Sequence, residues 1–283
     1  MVAIAIALLL QPMDLANLED AYVVDVRSAA AYAEGHIPGA VNVDVASFSE
    51  KRGGATGLLK PLDALRPLVE QAGLSPDRHV VVYATSAKST EDFRDATRLF
   101  WILEYLGFPR VSVLDGGFAR WQAEGRAIET RPVTPTPTSL PDLKPREELR
   151  ANAEEVAEAV KSDEVAVLDV RSPEEFAGEK KNDVVAKAGH VPGAQNLPSS
   201  EMLDAVKNAV KPENADKELS ELGVKPDKPV ITYCNTGRQA SVGYFTLRLL
   251  GRDNVALYDG SMSDWTVDPD RPVEQGMPDT PKE

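Results

Sequence analysis

Residues 229–250 read PVITYCNTGRQASVGYFTLRLL, and the fold turns on this stretch. Val230, Ile231 and Tyr233 form a short apolar run of the kind that makes a buried strand. From Ala240 to Leu250, Val242, Phe245, Leu249 and Leu250 fall on one face of a helix. Between strand and helix lies a tight loop of Cys234, Asn235, Thr236, Gly237, Arg238 and Gln239, and Cys234 is the only cysteine of the 283 residues. A strand that turns at once into a helix aims main-chain N–H groups and the positive end of the helix dipole at the loop centre. Such surroundings favour the thiolate, which is the nucleophilic form. A lone cysteine is most often a small buried hydrophobe. Here Gly237 and Arg238 in a strand–loop–helix setting favour the reactive reading.

Working outward, the chain repeats itself. Val24-Asp-Val-Arg-Ser28 returns as Leu168-Asp-Val-Arg-Ser172, and Gly35-His-Ile-Pro-Gly-Ala-Val-Asn42 as Gly189-His-Val-Pro-Gly-Ala-Gln-Asn196. Leu114-Asp-Gly-Gly-Phe-Ala-Arg-Trp121 returns as Tyr258-Asp-Gly-Ser-Met-Ser-Asp-Trp265. The outer two pairs are 144 residues apart and the middle pair 154, so the second copy gains a charged insertion around Glu179–Asp183 and loses it later. The cysteine is not repeated: Tyr83-Ala84 stands where the second copy has Tyr233-Cys234.

Each copy alternates short apolar strands with amphipathic helices, which predicts an α/β fold with a mostly parallel sheet. In the first copy strands are expected near residues 22–26, 40–43, 80–83 and 111–114. A helix is expected near 91–106, with Gly107, like Gly251 in the second copy, set for a left-handed C-cap. Residues 130–145 carry five prolines in sixteen positions, which excludes a regular helix and predicts a stiff connector. The expected division is 1–129, a 130–145 linker, and 146–283.

A chain of this length suits two domains of roughly 100–150 residues. The apolar fraction of 42% and charged fraction of 27% are those of an ordinary globular protein. A net charge of −14 argues against nucleic-acid and anionic-membrane partners, and one cysteine allows no internal disulfide. The apolar start, MVAIAIALLLQP, is too short to span a bilayer and lacks the basic flank of an export signal. It is expected to be a first strand, with Gln11-Pro-Met-Asp-Leu15 opening a short helix. The cytoplasm is the favoured compartment, or the periplasm if the run is a truncated export signal.

The ordered set DVRSxxEF, GHxPGAxNLP, a strand ending in cysteine, and YDGSMSxW resembles the rhodanese-type sulfurtransferases in their tandem form. The resemblance spans residues 8–265. It implies two rhodanese-like domains, of which only the C-terminal one is catalytic, with Ala84 marking the inactive copy. It implies a double displacement: the Cys234 thiolate takes the outer sulfur of a donor such as thiosulfate, and cyanide or another thiol then removes it. Neither step needs a metal or cofactor, and both pass through anions that a ring of amides can hold. The expected substrate-binding residues are Asn235, Thr236, Gly237, Arg238, Gln239 and Arg171, with small-molecule substrates and a monomeric enzyme. His36 and His190 read as turn-fixing residues, and His79 as incidental to catalysis.

Two departures bear on the donor. Thiosulfate-using members of the family often carry a basic residue directly after the cysteine, where this chain has Asn235; its arginine, Arg238, stands at the fourth position. A guanidinium there suits bidentate binding of a sulfonate-like donor. Mercaptopyruvate-using members typically read Cys-Gly-Ser/Thr-Gly-Val, and some carry an arginine where this chain has Glu175. Thiosulfate is therefore expected over 3-mercaptopyruvate, which is the alternative. A non-catalytic persulfide carrier is the alternative of another class. A cysteine phosphatase or arsenate reductase of the same fold fits least, because it needs arginine at the sixth position, occupied here by Ala240.

Overall fold

Runs of β-branched residues occupy the middle of two sheets. Val80, Val81 and Val82 are wholly buried, and Val230, Ile231 and Tyr233 nearly so. The structure is a computed structural model that describes residues 8–85, 90–162, 164–204, 209–210 and 212–277. Each sheet has five strands, all parallel. The first runs in the order Leu9–Leu10, Val111–Leu114, His79–Tyr83, Ala21–Asp25, Val41–Asn42. The second runs Arg150–Ala151, Val255–Tyr258, Val230–Tyr233, Ala166–Asp169, Gln195–Asn196. The two orders correspond strand for strand, as the sequence repeat requires.

The expected helix at 91–106 is Thr90–Tyr105. Its Phe93, Leu99, Phe100 and Leu103 are buried. Beyond it Gly107 has φ +85°, and the Phe108 and Gly107 amides donate to the carbonyls of Leu103 and Glu104, the Schellman pattern. Gly251 repeats it at φ +78° after helix Ala240–Leu249, with Arg252 bonded to Leu247 and Gly251 to Arg248. Leu9–Leu10 is the first strand and Pro12–Leu15 the short helix behind it; residues 1–7 of the apolar start lie outside the described residues. Residues 130–145 form no helix or strand, and Leu140 and Leu143 within them are buried.

The repeated motifs hold the loops at the C-terminal ends of the strands. Asp169 and Arg171 form a buried pair, Arg171 also donates to the Gly189 carbonyl, and Asn196 reaches back to the carbonyls of Asp169 and Arg171. Asp25, Arg27, Gly35 and Asn42 repeat the arrangement. Ser172 caps the helix Pro173–Phe176 through the Glu175 amide, worth about 1 kcal/mol. The histidines sit in the turns. His190 Nδ1 lies 2.9 Å from the Phe176 carbonyl with the two rings stacked, and His36 Nδ1 lies 3.0 Å from that of Tyr32, also stacked. Trp121 and Trp265 each donate an indole N–H to a carbonyl downstream, of Ala127 and Pro272 respectively.

The chain divides into two compact units. One comprises Met1–Ser49, Leu59–Glu147 and Leu203–Lys211; the other comprises Glu50–Leu58, Glu148–Met202 and Pro212–Glu283. The second unit therefore includes the turn and most of both strands of an antiparallel hairpin, Ser49–Arg52 with Ala55–Leu59, drawn from the first half of the sequence. The described tail to residue 277 is bound to the second unit: Lys187 Nζ donates to the carbonyls of Asp268, Pro269 and Arg271, and His190 and Glu274 exchange main-chain hydrogen bonds.

Candidate active site

Cys234 follows the central strand Val230–Tyr233, and helix Ala240–Leu249 begins six residues later. Its side chain is buried, with only 1% of the residue exposed. Gly237 turns the loop at φ +76°. Two loop amides, those of Cys234 and Gly237, donate to one oxygen, the hydroxyl of Ser261, each at 3.0 Å. That hydroxyl lies 2.8 Å from the Tyr258 carbonyl and 3.9 Å from the Cys234 sulfur, so its proton has one strong and one weak acceptor. From the other side the Met262 and Ser263 amides donate to the carbonyls of Cys234 and Asn235. The segment after strand Val255–Tyr258 thus cradles the loop.

Ser261 is the residue that sequence reasoning missed. It is the one described non-glycine residue with positive φ, +52°, a conformation that costs a non-glycine residue about 1–3 kcal/mol. The first copy carries Gly117 at the matching position, at φ +57°, where an added Cβ would lie 2.4 Å from the Ala84 carbonyl oxygen. The copy without a thiol has glycine in this slot, and the copy with the thiol has a serine whose hydroxyl fills the loop. The signal was in the sequence, as a second difference between the copies beside Ala84 and Cys234.

The expected substrate-binding residues divide by what their side chains touch. Asn235 spans two charged groups: its Nδ2 donates to Glu175 Oε1 at 2.9 Å, and its Oδ1 accepts from Arg171 Nη1 at 3.4 Å. The two departures from the family pattern, Asn235 and Glu175, are thus one hydrogen-bonded feature. Gln239 donates to the Val170 carbonyl and the Ser199 hydroxyl, which pins the loop's end to the neighbouring strand. Arg171 is 2% exposed, and its Nε and Nη2 serve Asp169 and Gly189. Burial works against its charge, but the Asp169 carboxylate prevails and raises its pKa. Beneath the loop, the wholly buried Tyr233 hydroxyl accepts from the Val191 amide; burial first, then the nearby Asp169, push its pKa well up, so it stays neutral. Thr236 and Arg238 are partly exposed, and the Arg238 carbonyl accepts from Ser241.

A buried thiol at the carboxyl end of a central parallel strand, beside a hydroxyl that gathers two amides of its own loop, can serve nucleophilic group transfer on an α/β scaffold present twice. The model of the Rhodanese-like domain matches residues 7–124 and 152–268. A thiosulfate sulfurtransferase of Pseudomonas aeruginosa is 36% identical over 270 residues, covering 94% of this chain and 97% of the relative. One of Azotobacter vinelandii is 34% identical, covering 95% and 98%. A 3-mercaptopyruvate sulfurtransferase of Escherichia coli is 30% identical, covering 88% and 87%. Among solved structures, the anaerobic ergothioneine biosynthesis enzyme from Chlorobium limicola, in complex with trimethyl histidine, superposes with a TM-score of 0.81 at 27% identity. That match covers 92% of this chain and 65% of that enzyme, so the chain spans just under two thirds of its length. The chain belongs to the rhodanese family and carries its domain twice. It is a sulfurtransferase, with a small-molecule sulfur donor and acceptor as substrates.

Proposed function

We propose that the protein takes the sulfane sulfur of thiosulfate, or a related donor, onto Cys234 and hands it to cyanide or a thiol. The Cys234 thiolate attacks the outer sulfur, a new S–S bond forms, and the donor's S–S bond breaks with its electron pair leaving on sulfite. Cyanide then attacks the outer sulfur of the Cys234 persulfide, releasing thiocyanate and the thiolate. Sulfur passes between nucleophiles, with no redox partner needed.

The observation that carries this reading is the placement of Cys234, the one cysteine, in a loop whose Cys234 and Gly237 amides meet on the Ser261 hydroxyl, 3.9 Å from the sulfur. In this reading residues 146–283 are catalytic, 1–129 are an inactive copy and 130–145 link them. Thr236, Gly237 and Arg238 meet the donor, Arg238 through its guanidinium. Asn235 and Gln239 shape the loop, and Arg171 acts on it through Asn235. The enzyme works as a monomer, without a metal, cofactor, nucleic acid or membrane. Purified protein is expected to form thiocyanate from thiosulfate and cyanide. Cys234→Ser should abolish this while keeping the fold, because a serine hydroxyl is not ionised near neutral pH. Mass spectrometry should show Cys234 heavier by about 32 Da, one sulfur atom, after thiosulfate treatment. Turnover by Cys234→Ser, or faster turnover of 3-mercaptopyruvate than of thiosulfate by the wild type, would overturn the assignment.

A further inference from the structure

The hairpin Ser49–Arg52 and Ala55–Leu59 comes from the cysteine-free half of the sequence, yet its residues 50–58 belong to the compact unit that holds Cys234. It is fixed there at three points. The Thr56 amide donates to the Ser263 hydroxyl at 2.6 Å. Gly57, at φ +86°, lies so close to the loop that an added Cβ would be 2.7 Å from Thr236 Cβ and 2.8 Å from the Thr236 carbonyl oxygen. Gly54, at φ +93°, leaves 3.4 Å between such a Cβ and the Val267 methyls.

Ser263 is the hinge of this arrangement. It is 1% exposed, its amide holds the Asn235 carbonyl at 2.9 Å, and its hydroxyl holds the hairpin. One residue therefore grips the cysteine loop with its main chain and the hairpin with its side chain. The hairpin lies against Thr236, two residues from a sulfur that is almost wholly covered.

We infer that this hairpin is the specificity wall of the sulfur-transfer site, limiting by size what reaches Cys234, and that Ser263 is the positioning residue that fixes it. This rests on Cys234 as the reacting atom. Removing the Thr56–Ser263 hydrogen bond takes away one of the hairpin's fixings to the cysteine loop, which loosens the wall and widens the entry without touching the nucleophile.

The test compares Ser263→Ala, which removes the acceptor, with Thr56→Pro, which removes the donor N–H. Each is expected to raise the rate of Cys234 alkylation by N-ethylmaleimide relative to the smaller iodoacetamide about threefold or more. The KM for thiosulfate should rise about 3- to 10-fold with kcat within about twofold. The double variant should be no worse than either single one, since both remove the same bond, and Ser263→Thr should restore the wild-type alkylation ratio. A ratio unchanged in both variants, or additive losses, would overturn the wall. Hydrogen exchange in the wild type needs no variant: alkylating Cys234 with N-ethylmaleimide should speed exchange of the Thr56 amide, and an unchanged rate counts against the inference. The alkylation ratio does not depend on sulfur turnover, so a wild type that makes no thiocyanate refutes the proposed reaction and leaves the wall to be judged separately.

Discussion

The hydroxyl of Ser261 stands 3.9 Å from the sulfur of Cys234 while it accepts the amides of Cys234 and Gly237. The thiol and the hydroxyl are thus coupled through the main chain of the loop. The left-handed backbone of Ser261 delivers this geometry, and Gly117 in the other copy has the same backbone without the oxygen.

Ser261→Ala should leave both amides without that acceptor. Each buried amide left unsatisfied costs about 1–3 kcal/mol, and the unfavourable φ remains. Ser261→Gly removes the strain, worth about 1–2 kcal/mol, and mimics the cysteine-free copy. Urea unfolding should therefore find Ser261→Gly the more stable of the two variants, with both below wild type. Single-turnover persulfide formation should slow in both by about 10-fold or more, because the loop loses the oxygen that organises it. Rates equal to wild type in Ser261→Gly would make the serine dispensable.

Much of this was legible in the sequence because it is local. The strands His79–Tyr83 and Val230–Tyr233 are runs of buried β-branched and aromatic residues, and Gly107 and Gly251 mark helix ends by the backbone angle they must adopt. The two-residue strands Arg150–Ala151 and Gln195–Asn196 are too short for any periodicity to register. The hairpin at Gly57 meets a loop almost 180 residues away in sequence, a contact that no local pattern encodes. The Asn235 amide spans Arg171 and Glu175, partners that it meets only through strand pairing.

His79 yields a pH prediction for stability. Its ring is buried, with Nε2 2.8 Å from the Ser112 hydroxyl. Burial lowers its pKa below the ordinary 6.5, Arg110 lowers it further, and Asp20 opposes them weakly. As pH falls through 6.5 the unfolded chain binds a proton that the folded chain refuses, so stability drops until the folded pKa is reached. The contribution is complete above 6.5 and lost below it. Relative to His79→Gln, the wild type should lose urea stability between about pH 7.5 and pH 5. A constant difference across that range would exclude His79 as the source.

In the proposed reading Arg238 carries the preference for thiosulfate. A charge-assisted bidentate contact is worth roughly 1.5–3 kcal/mol, so Arg238→Ala should lower kcat/KM for thiosulfate about 10- to 150-fold. Alkylation by iodoacetamide, a neutral reagent, is the control, because it senses the nucleophile without requiring anion recognition. The alkylation rate should fall far less than thiosulfate turnover. If turnover stays within about twofold of wild type, the loop amides suffice to hold the anion.

Arg171 and Arg27 form a matched pair that separates structure from function. Both guanidiniums are buried against an aspartate, Asp169 and Asp25, and both reach a glycine carbonyl. Replacing either by lysine keeps the charge and loses the planar fork, which should cost about 1–3 kcal/mol in each unit. Only Arg171 extends Nη1 toward the cysteine loop, at the Asn235 amide oxygen. Stability should therefore fall alike in Arg27→Lys and Arg171→Lys. The kcat/KM of folded enzyme should fall about 5- to 10-fold in Arg171→Lys alone, since losing one weak side-chain hydrogen bond shifts the loop without removing the nucleophile. Equal activity in the two variants would reduce Arg171 to the structural role its twin plays. A loss confined to KM for thiosulfate, absent with a neutral alkylating agent, would instead place Nη1 on the donor.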